Sequence, residues 1–198
     1  MPLIVVTGPP GAGKSAVSRV LAGPPAREEW SGSPAGTPSA AFGSGERSAL
    51  VEGDAFFGFL ARGSVAPWLV GSQEQNEMVT RAAAATAGRF AAEGYDTVFD
   101  GMVGPWFLPA FAAACGLDRL DYVVLLPPCE VCVERVRSRR GHGFDDEPAT
   151  RQMHTSFAGA AVDPRHVIVH PAGTPEEVAD LVVEARTSGR LAVVRAPA

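Results

Sequence analysis

Five short apolar runs mark out the chain. Leu3 to Val6, Ala49 to Asp54, Thr97 to Asp100, Asp121 to Leu126 and His166 to Val169 each read as a buried strand, and the second and third end in an aspartate. Between them the apolar spacing turns helical. Val17, Val20 and Leu21 share one face after the first strand, and Phe56 to Leu60 form a short helix after the second. Ser72 to Glu93 reads as a long helix, capped by Ser72 with Gln75 three residues on. Its apolar stripe is Met78, Val79, Ala82 and Ala85, and Gly94 ends it. Further helices are expected over Pro105 to Cys115, Cys129 to Arg140 and Pro148 to Ala158. The last helix begins at Thr174, with Pro175 in its first turn, Glu177 closing a capping box, and Val178, Leu181, Val182 and Ala185 facing inward. Leu191 to Arg195 is an edge strand or a tail. Strands alternating with helices imply an α/β fold, with a five-stranded parallel sheet and helices on both faces.

Two segments break the pattern. Gly23 to Gly45 is dense in Pro, Gly, Ser and Ala, with Trp30 and Phe42 as its only large apolar residues. It cannot bury enough surface to offset its ordering entropy and is expected to be a disordered insertion; the functional alternative is a flap over substrate. Gly141 to Glu147 is polar and forms the middle of a short lid over residues 137–150. Residues 1–198 are expected to make one domain.

Gly8-Pro9-Pro10-Gly11-Ala12-Gly13-Lys14-Ser15 joins the first strand to the first helix. It fits the phosphate-loop pattern G-x-x-x-x-G-K-[ST] in the strand–loop–helix context that the pattern needs. Its glycines let backbone N–H groups turn inward around a phosphate chain, and the helix presents its positive end to the same anion. Gly8, Pro9, Pro10, Gly11, Ala12, Gly13, Lys14, Ser15 and Ala16 are therefore the expected nucleotide-binding loop. Lys14 would reach the β- and γ-phosphates, and the Ser15 hydroxyl would bind Mg²⁺. Lys14 is also the only lysine in the chain; the other Lys/Arg positions are all Arg. The planar guanidinium fork does not replace a compact point charge at this position.

Composition narrows the field. The chain has 198 residues, is 46% hydrophobic and carries a net charge of −5, which argues against a general nucleic-acid or membrane surface. No stretch is long and apolar enough to span a membrane. The first strand starts directly, without the pattern of a signal peptide, and the expected location is the cytoplasm. Three cysteines do not suggest a disulfide framework. Cys129, Cys132, Val133 and Val136 fall at helical spacing, so both thiols read as small buried apolar groups rather than a redox or zinc pair.

With these pieces in place, the chain resembles the nucleoside monophosphate kinase-like group of P-loop phosphotransferases, in which shikimate kinases, gluconate kinases and chloramphenicol phosphotransferases are of similar size. The likeness covers nearly the whole chain apart from Gly23 to Gly45. Glu134-Arg135-Val136-Arg137-Ser138-Arg139-Arg140 is similar to the adenylate-kinase stretch leading into the lid. That resemblance implies that Arg135 lies over the adenine and that Arg139 reaches the phosphates. Ala172-Gly173-Thr174-Pro175 resembles the loop that holds the adenine edge, placing Gly173 and Thr174 there. Val51-Glu52-Gly53-Asp54 resembles the strand whose terminal aspartate faces the substrate hydroxyl. A separate lid domain is missing.

The expected chemistry is transfer of the γ-phosphoryl group of ATP to a hydroxyl of a small molecule, with Lys14, Mg²⁺ and the lid arginine Arg139 neutralising charge. Asp54 would accept the hydroxyl proton or hold it in line; its structural alternative is a helix cap. Asp100, at the end of the third strand, would serve Mg²⁺ or substrate. Arg81 could meet an acidic substrate, whereas Arg137 and Arg140 read as a solvated face, and His142 and His154 as surface residues. Phe57, Trp68 and Trp106 fall in loops or turns expected to ring the acceptor, together with Phe56. They favour an acceptor with apolar or ring character, such as an antibiotic, over a bare sugar acid, with a sugar- or polyol-type metabolite as the other candidate. Competing readings are a regulatory nucleotide switch and a nucleic-acid end kinase; the acidic balance counts against the second. Nothing in the sequence specifies an oligomeric state.

Overall fold

The computed structural model describes residues 3–23, 47–138, 146–169 and 173–195. Most of the expected insertion, with Trp30 and Phe42, lies outside the described residues. So do Arg139, Arg140 and His142 of the expected lid, and Ala172.

β1 (Leu3–Thr7) is buried at every residue. It runs between β3 (Asp96–Asp100) and β4 (Arg119–Leu125), parallel to both. β2 (Ser48–Glu52) flanks β3 with Glu52 opposite Asp100, and β5 (Val167–Ile168) flanks the far end of β4. The order is β2-β3-β1-β4-β5, all parallel. Leu191 to Arg195 adds an edge strand: β6 (Ala192–Val194) pairs antiparallel with Arg119–Asp121. Because Asp121 also pairs with Ile4 of β1, β6 must lie on the opposite edge of β4, end to end with β5.

The two-residue period of β1 divides the core. Ile4 and Val6 face α1 (Lys14–Ala22) and α6 (Pro175–Thr187), in a cluster with Val17, Leu21, Val123 and Val182. Leu3 and Val5 face the other side, packed with α2 (Gln73–Ala92), α3 (Leu108–Cys115) and α5 (Glu147–Gly159) through Ala84, Phe111 and Phe157. The result is a three-layer sandwich. No helix among the described residues is long and apolar enough to cross a membrane.

Several elements differ from the sequence reading. Ser72 makes no side-chain cap on α2: its hydroxyl donates to the Pro67 carbonyl at 2.8 Å. Gln75 closes no capping box because Val65 takes both ends of its amide. The buried face of α2 is Val79, Ala83, Ala84, Ala87, Gly88 and Ala91, while Met78, Ala82 and Ala85 are exposed. Alanine on every side leaves the apolar period without a direction, and packing against α3 selects the face. In α6 Val182 and Ala185 face inward as expected and Ala179 joins them, while Leu181 is exposed. Residues before Leu108 form a turn in which Phe107 N–H donates to the Gly104 carbonyl, so that helix starts late. His166 belongs to a 3₁₀ turn (Pro164–His166) rather than to the fifth strand.

His166 fastens that turn to the sheet. Its Nδ1 meets the Tyr122 carbonyl at 3.0 Å, and Arg165 Nε donates to its Nε2 at 3.2 Å. A donor on one nitrogen and an acceptor on the other suit the neutral ring. Burial holds its pKa below the ordinary 6.5. The unfolded chain therefore takes up this proton at higher pH than the folded one, and stability should be lost as pH falls through 6.5. Denaturant midpoints above and below that pH should show the loss in the natural chain, and a smaller loss in His166→Gln.

Candidate active site

The loop between β1 and α1 is held by backbone contacts too close for side chains. A Cβ on Gly8 would lie 2.2 Å from the Leu125 carbonyl oxygen at the end of β4, and one on Gly11 would lie 2.2 Å from that of Cys132. Both glycines have positive φ, 145° and 78°. Cys132 belongs to α4 (Cys129–Ser138), so this helix presses directly on the loop. Lys14 opens α1 and its ammonium arches back to donate to the Pro9 carbonyl at 3.1 Å. Arg135 of α4 donates to the Gly11 carbonyl at 3.5 Å.

On the β3 side of the loop stands Asp100, buried beside Ser15. Burial pushes its carboxyl above the ordinary 3.8; Ser15 and Lys14 oppose this shift, while the charges of Asp54 and Glu52 add to it. Asp54 is not on the strand. It is exposed in the first turn of a 3₁₀ helix (Gly53–Phe59), where no side chain caps the N-terminus. Glu52 pairs with Arg19 at 3.3 Å. The turn after Asp100 is fixed by residues that sequence reasoning missed. Val103 N–H donates to Thr7 Oγ1 at 2.9 Å, and the Tyr122 hydroxyl donates to the Val103 carbonyl at 2.8 Å. A phenol inside the apolar run of β4 was the available signal.

On the β4 side lies a cleft of about 380 Å³. Its walls are Ala12, Gly13, Ala16 and Val17 of the loop and α1, with Leu125 and Ile168 at the strand ends. Arg135, Gly173 and Thr174 line it too, beside Pro127, Ser138, Pro175 and Val178. The Thr174 capping box is complete: Glu177 N–H donates to its hydroxyl at 3.3 Å, and the Glu177 carboxylate accepts from Thr174 N–H at 2.9 Å. The structure thus gathers Ala12, Gly13, Ala16, Arg135, Gly173 and Thr174 on one side of the loop, and Asp54 and Asp100 on the other. The sheet order enforces this, since β4 and β5 flank β1 on one side and β3 and β2 on the other.

The remaining candidates are less convergent. Phe57 is half-buried, and Trp68 and Trp106 are exposed to 46% and 41%. Trp106 packs on Phe157 of α5, ring centroids 5.2 Å apart. Arg81 pairs with Glu77 on its own helix at 2.5 Å. His154 is half-buried against the Pro127 carbonyl at 2.8 Å. Cys132 is buried as expected, but Cys129, in the first turn of α4, is only half-buried and accepts from Arg151 Nη1 at 3.9 Å.

Ser15 and Asp100 offer adjacent oxygen donors. That set fits Mg²⁺, which takes one or two protein ligands and completes its shell with phosphate and water. Among the described residues no group of three His, Cys, Asp or Glu side chains could hold a metal ion.

This fold is that of the P-loop kinases. Its similarity to known proteins is structural: no protein-family model and no curated protein matches the sequence. A sugar kinase from Janibacter sp. HTCC2649 superposes with TM-score 0.61 at 20% identity, over 94% of this chain and 95% of that one. The tunicamycin resistance protein of Deinococcus radiodurans matches at TM-score 0.61 and 16% identity, over 99% of both chains. The Mycobacterium tuberculosis APS kinase CysC, solved with AMPPNP and APS, matches at TM-score 0.59 and 17% identity, over 94% of this chain and 97% of that one.

Because the folded Asp100 carboxyl holds its proton to higher pH than the unfolded one, its ionised form costs stability once pH rises through 3.8 towards the raised value. Asp100→Asn, which keeps an acceptor for Ser15, should raise the melting temperature at neutral pH. The gain should vanish below pH 3.8, as thermal unfolding at the two pH values would show.

Proposed function

We propose that this chain transfers the γ-phosphoryl group of ATP to a hydroxyl of a small molecule, with Mg²⁺ bound beside the phosphates. One observation carries this reading: a cleft large enough for a nucleoside base on one side of the phosphate loop, and an exposed carboxylate, Asp54, on the other. A nucleotide lying across the loop would point its terminal phosphate towards Asp54.

In this reading the base enters the cleft between Arg135 and the Gly173–Thr174 rim, and loop N–H groups with Lys14 hold the β- and γ-phosphates. Ser15 and Asp100 are the ligands for Mg²⁺, which when bound supplies positive charge to the phosphate oxygens. Asp54 takes or aligns the proton of the acceptor hydroxyl. Arg139, implied by the family resemblance to reach the phosphates, lies outside the described residues.

The acceptor side favours a neutral hydroxyl compound with an apolar body over an anionic acid. Glu52, Asp54 and Asp100 are acidic, and Arg19 and Arg81 on the flanking helices are each engaged by a carboxylate. Phe57, Trp68 and Trp106 offer it ring contacts, and the tunicamycin resistance protein of the same fold is a precedent for an antibiotic context.

The test is a transfer screen with ATP and Mg²⁺ against nucleosides, polyols, hydroxyl-bearing antibiotics, sugar acids and shikimate, with RNA and DNA ends as controls. Addition of one phosphate to a neutral compound is expected. ATP hydrolysis with no acceptor phosphorylated would favour a nucleotide switch instead. Lys14→Ala should lower turnover by about 100-fold or more; retained turnover would sink the phosphate-loop assignment. Asp54→Asn should reduce kcat by about 100- to 10,000-fold with ATP affinity little changed.

A further inference from the structure

Cys129 and Cys132 take no part in the chemistry above, yet they stand where the phosphate loop is held. They occupy one turn of α4, at i and i+3. Helix geometry puts their Cα atoms about 5 Å apart, within the range of a disulfide. Their environments differ. Cys129 is half-buried at the helix N-terminus, and Arg151 Nη1 sits 3.9 Å from its sulfur. Cys132 is fully buried, its sulfur 4.0 Å from the Pro127 carbonyl. Burial pushes the Cys132 thiol up to about 11, and the neighbouring Cys129 adds to that shift, so the two sulfurs share a field. An accessible attacking thiol followed three residues on by a buried resolving thiol is the working layout of a dithiol redox pair.

We propose that Cys129 and Cys132 form a reversible disulfide whose closure weakens the grip of the phosphate loop. The functional half of the proposal rests on the nucleotide-binding reading of that loop. Cβ atoms at i and i+3 on a helix lie about 5–6 Å apart, and a disulfide needs about 3.5–4.5 Å, so the first turn of α4 must tighten. The Gly11 position leaves no slack to absorb this. A Cβ there would lie 2.2 Å from the Cys132 carbonyl oxygen and 2.9 Å from its Cα. Arg135, three residues on, is tied to the Gly11 carbonyl. Movement of Cys132 is therefore movement of the loop.

The oxidant is a small-molecule disulfide. The Cys129 thiolate attacks one of its sulfurs, forming a mixed disulfide and releasing one thiolate, which takes a proton. Cys132 then gives up its proton and attacks the Cys129 sulfur, releasing the second thiol. Two electrons pass from the protein dithiol to the reagent, and two thiols leave.

The experiment treats the reduced full chain with glutathione disulfide. It reads mass, binding of a non-hydrolysable ATP analogue, and amide exchange in residues 8–13. The expected result is loss of two hydrogens with Cys129 and Cys132 no longer alkylated, binding weaker by about tenfold, faster exchange in the loop, and full reversal by dithiothreitol. Cys129→Ser should bind the analogue like the natural chain and ignore the oxidant. Absence of reaction, a lasting glutathione adduct on Cys129, or a closed disulfide with unchanged binding and exchange would each overturn the proposal. A reduced protein that binds no nucleotide would instead fail the function proposed above, while mass and loop exchange still read the disulfide.

Discussion

The site depends on two backbone-to-backbone contacts, Gly8 against the Leu125 carbonyl and Gly11 against the Cys132 carbonyl. They wedge the phosphate loop between the end of the central sheet and the first turn of α4, with no side chain between. A loop seated on backbone inherits the rigidity of the elements it touches, and a rigid loop can present its N–H groups to an anion without first paying an ordering cost. The same closeness makes the loop sensitive to its neighbours. Arg135 binds the loop from α4 and also lines the adjoining cleft, so one helix serves the seat of the loop and one wall of the cleft.

Charge is arranged around this wedge with little symmetry. Lys14 stands on the loop and faces a buried carboxylate, Asp100, with Glu52 and Asp54 beyond it. Burying a carboxylate among other carboxylates opposes folding, and two large apolar clusters on either face of the sheet offset it.

The outer edge of β4 shows how the fold shapes the cleft. β5 holds the C-terminal half of that edge and β6 the N-terminal half, so the sheet widens by one strand's thickness with two short pieces. β5 is only two residues long, yet it is anchored by His166 on the Tyr122 carbonyl and followed by the capped start of α6. Tyr122 serves both sides: its carbonyl fastens β5 and its hydroxyl fastens the turn after Asp100.

Where backbone conformation is encoded by a few neighbouring residues, the sequence was sufficient. Gly8 to Ser15 dictates strand, loop and helix together, and Thr174-Pro175-Glu176-Glu177 dictates a helix start through bonds that are local in the chain. The parallel sense of the central strands followed from their alternation with helices, and Asp100 ends its strand as the apolar run predicts, whereas the order of the strands came only with the fold. The sequence was silent where the deciding contact lies far along the chain. The alanine-rich α2 has no apolar direction of its own, so α3 chose its buried face. Ser72 and Gln75 had the spacing of a capping box, but the loop before them offered Pro67 and Val65 as better partners. Cys129 and Cys132 look alike in a helical stripe, and only the packing of α4 leaves one half-buried beside Arg151 of a different helix and the other fully buried. Local hydrogen bonds and propensities are written in neighbouring residues; the choice among equivalent faces is made by whatever the folded chain brings up against them.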